Sequence, residues 1–340
     1  MALASVSRSL HGYQAILGLV DRGKELGRRL DSNELFVNLE WAEWAALDTA
    51  CEFARADPIA VRFKAMAEEA GPDELVIRML GFGVWGIRCW HHGRIAESAA
   101  FLDASREVAR QLPQHDLVLG LVAEQRFLSE VFQVHVHDLV GDLADPAEAY
   151  GSLVHSLEDR FARAMVAAFQ STACGAIGDL DRAGAASRKG LAADPDVAFS
   201  FWGSQNLMHV ASASIAAGGD VDEAVARFED GHARYVRGGA HTGLGLFYAQ
   251  MALGIASTGD LDRAQSFLDR AQHELAERQE RWPEPVILLA EADLLARRGA
   301  DRDQVHDLLV RAEDLATEQG ALAVARRIAT ERTRITALVA

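Results

Sequence analysis

The chain has 340 residues, is 49% hydrophobic, and sets 34 Lys and Arg against 50 Asp and Glu, a formal net charge of −16. That content supplies a large core and excludes a disordered chain. The negative balance argues against a direct nucleic-acid-binding surface, because such affinity rests on Lys and Arg against phosphate. Cys51, Cys89 and Cys174 are widely spaced and lie outside any CxxC, which excludes a disulfide scaffold and a Cys-rich zinc module. No apolar run approaches the ~20 residues of a membrane helix. The opening MALASVSRSLHGYQAI lacks the apolar core of a signal peptide. A cytoplasmic protein without a membrane partner is expected.

In chain order, the first feature is Gly18-Leu-Val-Asp-Arg-Gly23-Lys24, which spells GxxxxGK. A phosphate loop needs Ser or Thr next, where this chain has Glu25, and it needs a preceding strand. Tyr13, Leu17, Val20, Leu26 and Leu30 place the stretch inside helical spacing instead, so no nucleotide is expected there. Asp57-Pro58, Asp145-Pro146 and Asp194-Pro195 each read as a helix N-cap followed by proline in the first turn. Pro72, Pro113, Pro283 and Pro285 fall between periodic stretches. Within the stretches, apolar residues recur at i, i+3, i+4 and i+7, as in Leu117, Leu121, Leu128, Val131 and Phe132, and in Leu261, Ala264, Leu268, Ala271 and Leu275. No clear alternating run appears, so the chain reads as all helix.

A repeat organises these helices. Gly178-Asp-Leu-Asp-Arg-Ala183, Gly219-Asp-Val-Asp-Glu-Ala224 and Gly259-Asp-Leu-Asp-Arg-Ala264 are near-copies, with looser versions at Gly93 and Gly299. From Gly178 to Gly299 the glycines fall 41, 40 and 40 residues apart, and Gly93 to Gly178 is 85, about two periods. Worn units therefore fit with second helices near Asp145-Pro146 and Asp57-Pro58. The glycine ends one helix in the left-handed conformation and the Asp caps the next. Four residues beyond the alanine comes a bulkier position, Leu102, Phe228 and Leu268, with Ser187 the exception. Three further on comes a small one, Ser105, Gly190, Gly231 and Ala271. Each unit is a helical hairpin that cannot bury its apolar face alone, so hairpins stack. The expectation is one all-α solenoid over residues 1–340, of about seven hairpins, with 321–340 as a capping helix and Ala224 and Ala264 buried.

The Gly-Asp-x-x-x-Ala unit resembles the turn and second helix of a tetratricopeptide repeat. In that frame Trp44, Phe82, Met208 and Tyr248 take the bulky position of the first helix, and Gly86, Ser212 and Ala252 the small one. The period near 40 exceeds the usual ~34 and implies longer helices. Repeats of this kind resemble the C-terminal arms of large bacterial regulators, the ATP-binding LuxR-type and actinobacterial activators, over about residues 11 to 335. The resemblance implies a sensing or scaffolding arm that binds a protein segment, a peptide or a small effector. Neither an ATPase module nor a helix-turn-helix has a counterpart here, so the alternative is a fragment of such a transcriptional regulator.

The same frame places Leu80, Trp90, His91, Met165, Thr172, Asn206, His209, Asp293 and Arg297 on the inner groove. Asn206 and His209 lie one turn apart on one face, and an Asn there can bond a peptide N–H and C=O. The competing reading makes the aromatics, including Trp41, Trp44, Trp85, Phe199, Phe201 and Trp202, hairpin core, with the polar groups facing water. His91-His92 and His135/His137 read as polar helix-end histidines, since residues two apart on a helix cannot share a metal. No HExxH, GxSxG or glycine-rich dinucleotide loop occurs, so no enzyme, cofactor or metal is expected. Arg326, Arg327, Arg332 and Arg334 near the end belong to the capping helix or, in the sharper reading, to a junction leading into a DNA-binding module.

Overall fold

The computed structural model describes residues 12–30, 33–112, 120–155 and 159–339; Pro113 and Leu117 lie outside them. The described residues form sixteen α-helices and no strand. In order they are α1 (Gly12–Leu30), α2 (Asn33–Thr49), α3 (Phe53–Glu69), α4 (Leu75–His91), α5 (Ile95–Ala109), α6 (Gly120–Val140), α7 (Pro146–Val154) and α8 (Arg160–Ile177). Then come α9 (Leu180–Ala193), α10 (Ser200–Ala216), α11 (Val221–Arg237), α12 (Leu244–Thr258), α13 (Leu261–Arg278), α14 (Glu284–Arg297), α15 (Arg302–Gln319) and α16 (Leu322–Thr336). The chain is an α-solenoid, with α2 to α15 paired consecutively into hairpins.

The repeated hexapeptide acts as expected. Gly178 and Gly259 are left-handed, at φ 87° and 94°, and Asp179 and Asp260 accept from the N–H of Arg182 and Arg263. In the Gly219 unit the left-handed residue is Gly218, at φ 79°, with Asp220 still capping through Glu223 N–H. Ala224 and Ala264 are buried. Ser187, the exception at the bulky position, donates its hydroxyl to Ser171 Oγ at 2.6 Å, so a hydrogen bond replaces the missing apolar knob between α8 and α9.

Two of the three Asp-Pro expectations need correction. Asp145 does cap α7 through Glu148 N–H, with Pro146 in its first turn. But α3 begins at Phe53, and Pro58 lies inside it. Phe53 and Ala56 are buried, and Phe53 packs 5.2 Å from the His91 ring and 5.3 Å from that of His92. That burial carries the helix through the proline despite the lost i→i−4 bond. Asp57 binds Arg88 and His92 instead. Asp194 ends α9 and accepts from Ala198 N–H and Phe199 N–H, shaping the turn before α10 starts at Ser200.

First and second helices have different burial. In α8 every residue from 164 to 176 except Gln170 is buried, and in α12 every residue from 244 to 256 except Leu253. In α11 only Ala224, Phe228, Gly231 and Tyr235 are buried, and in α13 only Ala264, Phe267, Leu268 and Ala271, a single stripe each. A helix buried all round lies inside and a striped one outside. The helices α4, α6, α8, α10, α12, α14 and α16 accordingly pack one on the next as an inner stack.

The stack curls until later turns meet earlier ones. The N–H groups of His241 and Thr242 donate to Thr49 O, and Arg281 N–H donates to His91 O at 2.8 Å. Gln319 donates to Arg281 O, and a Cβ on Gly320 would lie 2.7 Å from that of Ala96. At the C-terminus α16 packs on α14 and α15 and reaches α6 and α8. There Arg327 donates to Gly175 O and Ala176 O, carbonyls in the last turn of α8, a favourable place for a cation.

Candidate functional site on the inner face

Sequence spacing places nine residues on an open inner groove. The curl of the stack closes that groove. Leu80, Trp90, His91, Met165, Thr172, Asn206, His209 and Asp293 are all buried, and Arg297 is half-buried. The open-wall expectation is therefore corrected. The first helices pack so closely that side chains of successive ones touch, as Trp90, Phe132 and Phe169 do.

Each of these residues has a definite partner set. Trp90 stacks on Trp282, ring centroids 4.8 Å apart, and meets Phe132 and His135 edge-on. Asp293 accepts from Arg297 Nε at 2.7 Å and from Arg334 at 2.8 Å, a buried carboxylate held between α14 and α16. Asn206 donates from Nδ2 to Ala164 O, and its amide fills the space a Cβ on Gly190 would need, which is why that position is small. Leu80 and Met165 are core. Among the other aromatics, Trp44 is core. Trp202 packs half-buried on Phe169, and the Trp85 ring faces the Lys64, Arg88 and Arg94 cations.

His91 sits between two carboxylates, with Nε2 2.8 Å from Asp48 Oδ2 and Nδ1 2.9 Å from Glu280 Oε1. Burial alone would lower its pKa, but the attraction of Asp48 and Glu280 outweighs it and raises the ring to about 10, so it is an imidazolium. Two inner histidines go the other way. Burial pushes His209 down to about 3 and His135 to about 4. His135 is not a helix-end residue. It lies fully buried within α6, while His137 pairs with Asp103 and Asp142 on another face.

Tautomers follow from the bonds. Thr172 donates its hydroxyl to Ala168 O and so accepts from His209 Nε2, 2.9 Å away. His135 donates from Nδ1 to Phe169 O. His209 has the Gln250 side chain beside it, while His135 Nε2 is left without a partner among the described residues. Asn206 Oδ1, Gln250 Nε2 and both polar atoms of Gln125 share that state. All belong to the inner helices α6, α10 and α12. Buried polar atoms are almost always satisfied; others in the same state lie on Trp44, Tyr150, Arg182 and Glu313, on α2, α7, α9 and α15. Asn206 and His209 were accessible from spacing; Gln125, His135 and Gln250 were not, because single polar residues in helical periodicity carry no marker of facing an axis.

The outer face holds a cleft of about 710 Å³ between α11, α12 and α13. Its cations are already engaged. Arg270 lies over the Tyr248 ring at 4.2 Å and bonds Glu229, and Arg298 bonds Asp262. Among the described residues no group of three or more His, Cys, Asp or Glu is placed to hold a metal, and no helix is long and apolar enough to cross a membrane. The GxxxxGK stretch lies within α1, where Lys24 pairs with Glu43.

No family model matches the chain. No curated protein matches it either. A solved structure, the crystal structure of a Rap protein complexed with competence and sporulation factor, is similar in fold. The TM-score is 0.55 at 13% identity, over 85% of this chain and 78% of that one.

Proposed function

We propose that the chain is a non-enzymatic binding module that takes a protein segment, peptide or small effector against the inward faces of α6, α10 and α12. One observation carries the reading. Buried polar atoms of His135, Asn206 and Gln250 on these helices have no well-formed hydrogen bond among the described residues. Leaving such groups unmade costs about 1–3 kcal/mol each. An extended backbone, with its alternating N–H and C=O groups, supplies both kinds of partner. The likeness to a repeat protein solved with a bound factor supports a binding role. The resemblance to bacterial regulator arms supports a sensing or scaffolding one, in the cytoplasm and without direct nucleic-acid contact.

The test is an array of synthetic decapeptides probed with the full chain, with hits titrated by tryptophan fluorescence. Asn206→Ala and Gln250→Ala should each weaken a hit about tenfold or more. A hit that both variants bind at wild-type affinity, with protected amides on α11 and α13, moves the site to the outer cleft.

A further inference from the structure

One inner acceptor, His135 Nε2, lies on a ring beside Trp90 and Trp282 at one edge of the superhelix, and that edge is built unlike the rest. Along the chain, hairpins join through helix faces. Where the curl closes, no helix of α1 to α5 makes an extensive contact with a helix of α10 to α15; helix ends and turns meet. Gly320 packs on Ala96 there and Gln319 on Gly93. His241 and Thr242 N–H reach Thr49 O, Arg281 N–H reaches His91 O, the Thr242 hydroxyl reaches Thr49 O, and Trp90 stacks on Trp282. At their centre His91 joins three segments distant in sequence, Asp48 at the end of α2, itself at the end of α4, and Glu280 in the α13–α14 turn. Glu280 also gathers the later side, accepting from Trp282 Nε1 at 2.9 Å and Gly243 N–H at 2.8 Å.

We infer that this seam is the joint at which the superhelix opens, with His91 between Asp48 and Glu280 as its clasp. What the opening admits rests on the inner-face reading above; the opening itself does not. Three features support it. Trp90 and Trp282 lie 5.3 and 6.2 Å from the His135 ring, so parting the seam uncovers that bare nitrogen first. Beside the indole pair, the seam holds a buried polar cluster of His91, Asp48 and Glu280. A buried charge cluster is all-or-none, because removing one member strands the others, which suits a two-state joint better than graded packing.

The amides of His241, Thr242 and Arg281 have their bonds only across the seam, so they report on it directly without any ligand. Residue-resolved hydrogen exchange on the wild-type full chain should show these three exchanging at least tenfold faster than amides in the middle of α8 and α12. Glu280→Gln should speed them a further tenfold or more while α8 and α12 stay unchanged. Equal protection of seam and inner helices in the wild type overturns the joint, and that measurement stands even if Glu280→Gln fails to fold. A uniform rise across the whole chain in Glu280→Gln overturns the clasp. Failure of every peptide in the array leaves these exchange results as they are, so the two readings fail separately.

Discussion

Trp90, from the end of α4, and Trp282, from the α13–α14 turn, stack with centroids 4.8 Å apart and planes 28° from parallel. An aromatic placed on an open groove is removable at little cost to folding; one that closes the superhelix is not. Trp90→Ala should therefore lower stability by about 3–5 kcal/mol, the range for deleting a buried indole. A chemical-denaturation midpoint equal to wild type would return Trp90 to the groove wall.

Ala264 is fully buried where α13 packs on its hairpin partner α12. Ala264→Glu puts a larger, charged side chain into that fully buried position. The expected loss is several kcal/mol, on the order of 3 or more, visible as a large drop in melting temperature. An unchanged melting temperature would mean the repeat frame is misplaced.

Stability should peak near pH 6.5 and fall on both sides. His91 is raised to about 10, so its contribution is complete below ~6.5, the unfolded value, and is lost as pH climbs toward 10. His209 and His135 are lowered to about 3 and 4. Their contributions are complete above ~6.5 and are lost as acid forces protons onto buried rings. Asp138, raised by burial to about 6, works against the acid limb between 6 and its unfolded value near ~3.9. Two histidines outweigh one aspartate, so the limb still falls. Melting curves from pH 4 to 10 check the shape. His209→Gln should flatten the acid limb and His91→Gln the alkaline one; limbs unmoved by these changes would assign the profile to other groups.

Much of the architecture was legible because it is local. A glycine, an Asp cap and a packing alanine sit within six residues, and their chemistry needs nothing distant to act. Small errors arose where a distant contact overrode local chemistry. Phe53 packing on His91 and His92 carried α3 through Pro58, and one extra glycine moved the left-handed residue from Gly219 to Gly218. The closure was not legible. Thr49 with His241, or His91 with Glu280, are contacts about 190 residues apart, and no periodic signal marks either partner. The inner helices did carry a hint, since α8 from Ala164 and α12 are apolar or small around most of their circumference, Gln170 and Gln250 excepted, which a helix lining an open groove would not be.

The last prediction separates a binding interior from an ordinary core. Gln250 lies on α12, 3% exposed and beside His209, with no well-formed hydrogen bond at Nε2 and Ser212 Oγ 3.5 Å from Oε1. In a core evolved for stability alone that amide is a defect. Methionine has nearly the same length and flexibility and carries no unsatisfied donor, so Gln250→Met is close to volume-conserving. Removing an unmade buried group is neutral or stabilising, whereas removing a made hydrogen bond costs about 1 kcal/mol. Gln250→Met should therefore hold or raise the denaturation midpoint while weakening a decapeptide hit about tenfold, the trade expected where a site keeps polar groups ready for a partner. A midpoint lowered by about 1 kcal/mol or more, with peptide affinity intact, would make the amide a structural group and take Gln250 out of the site.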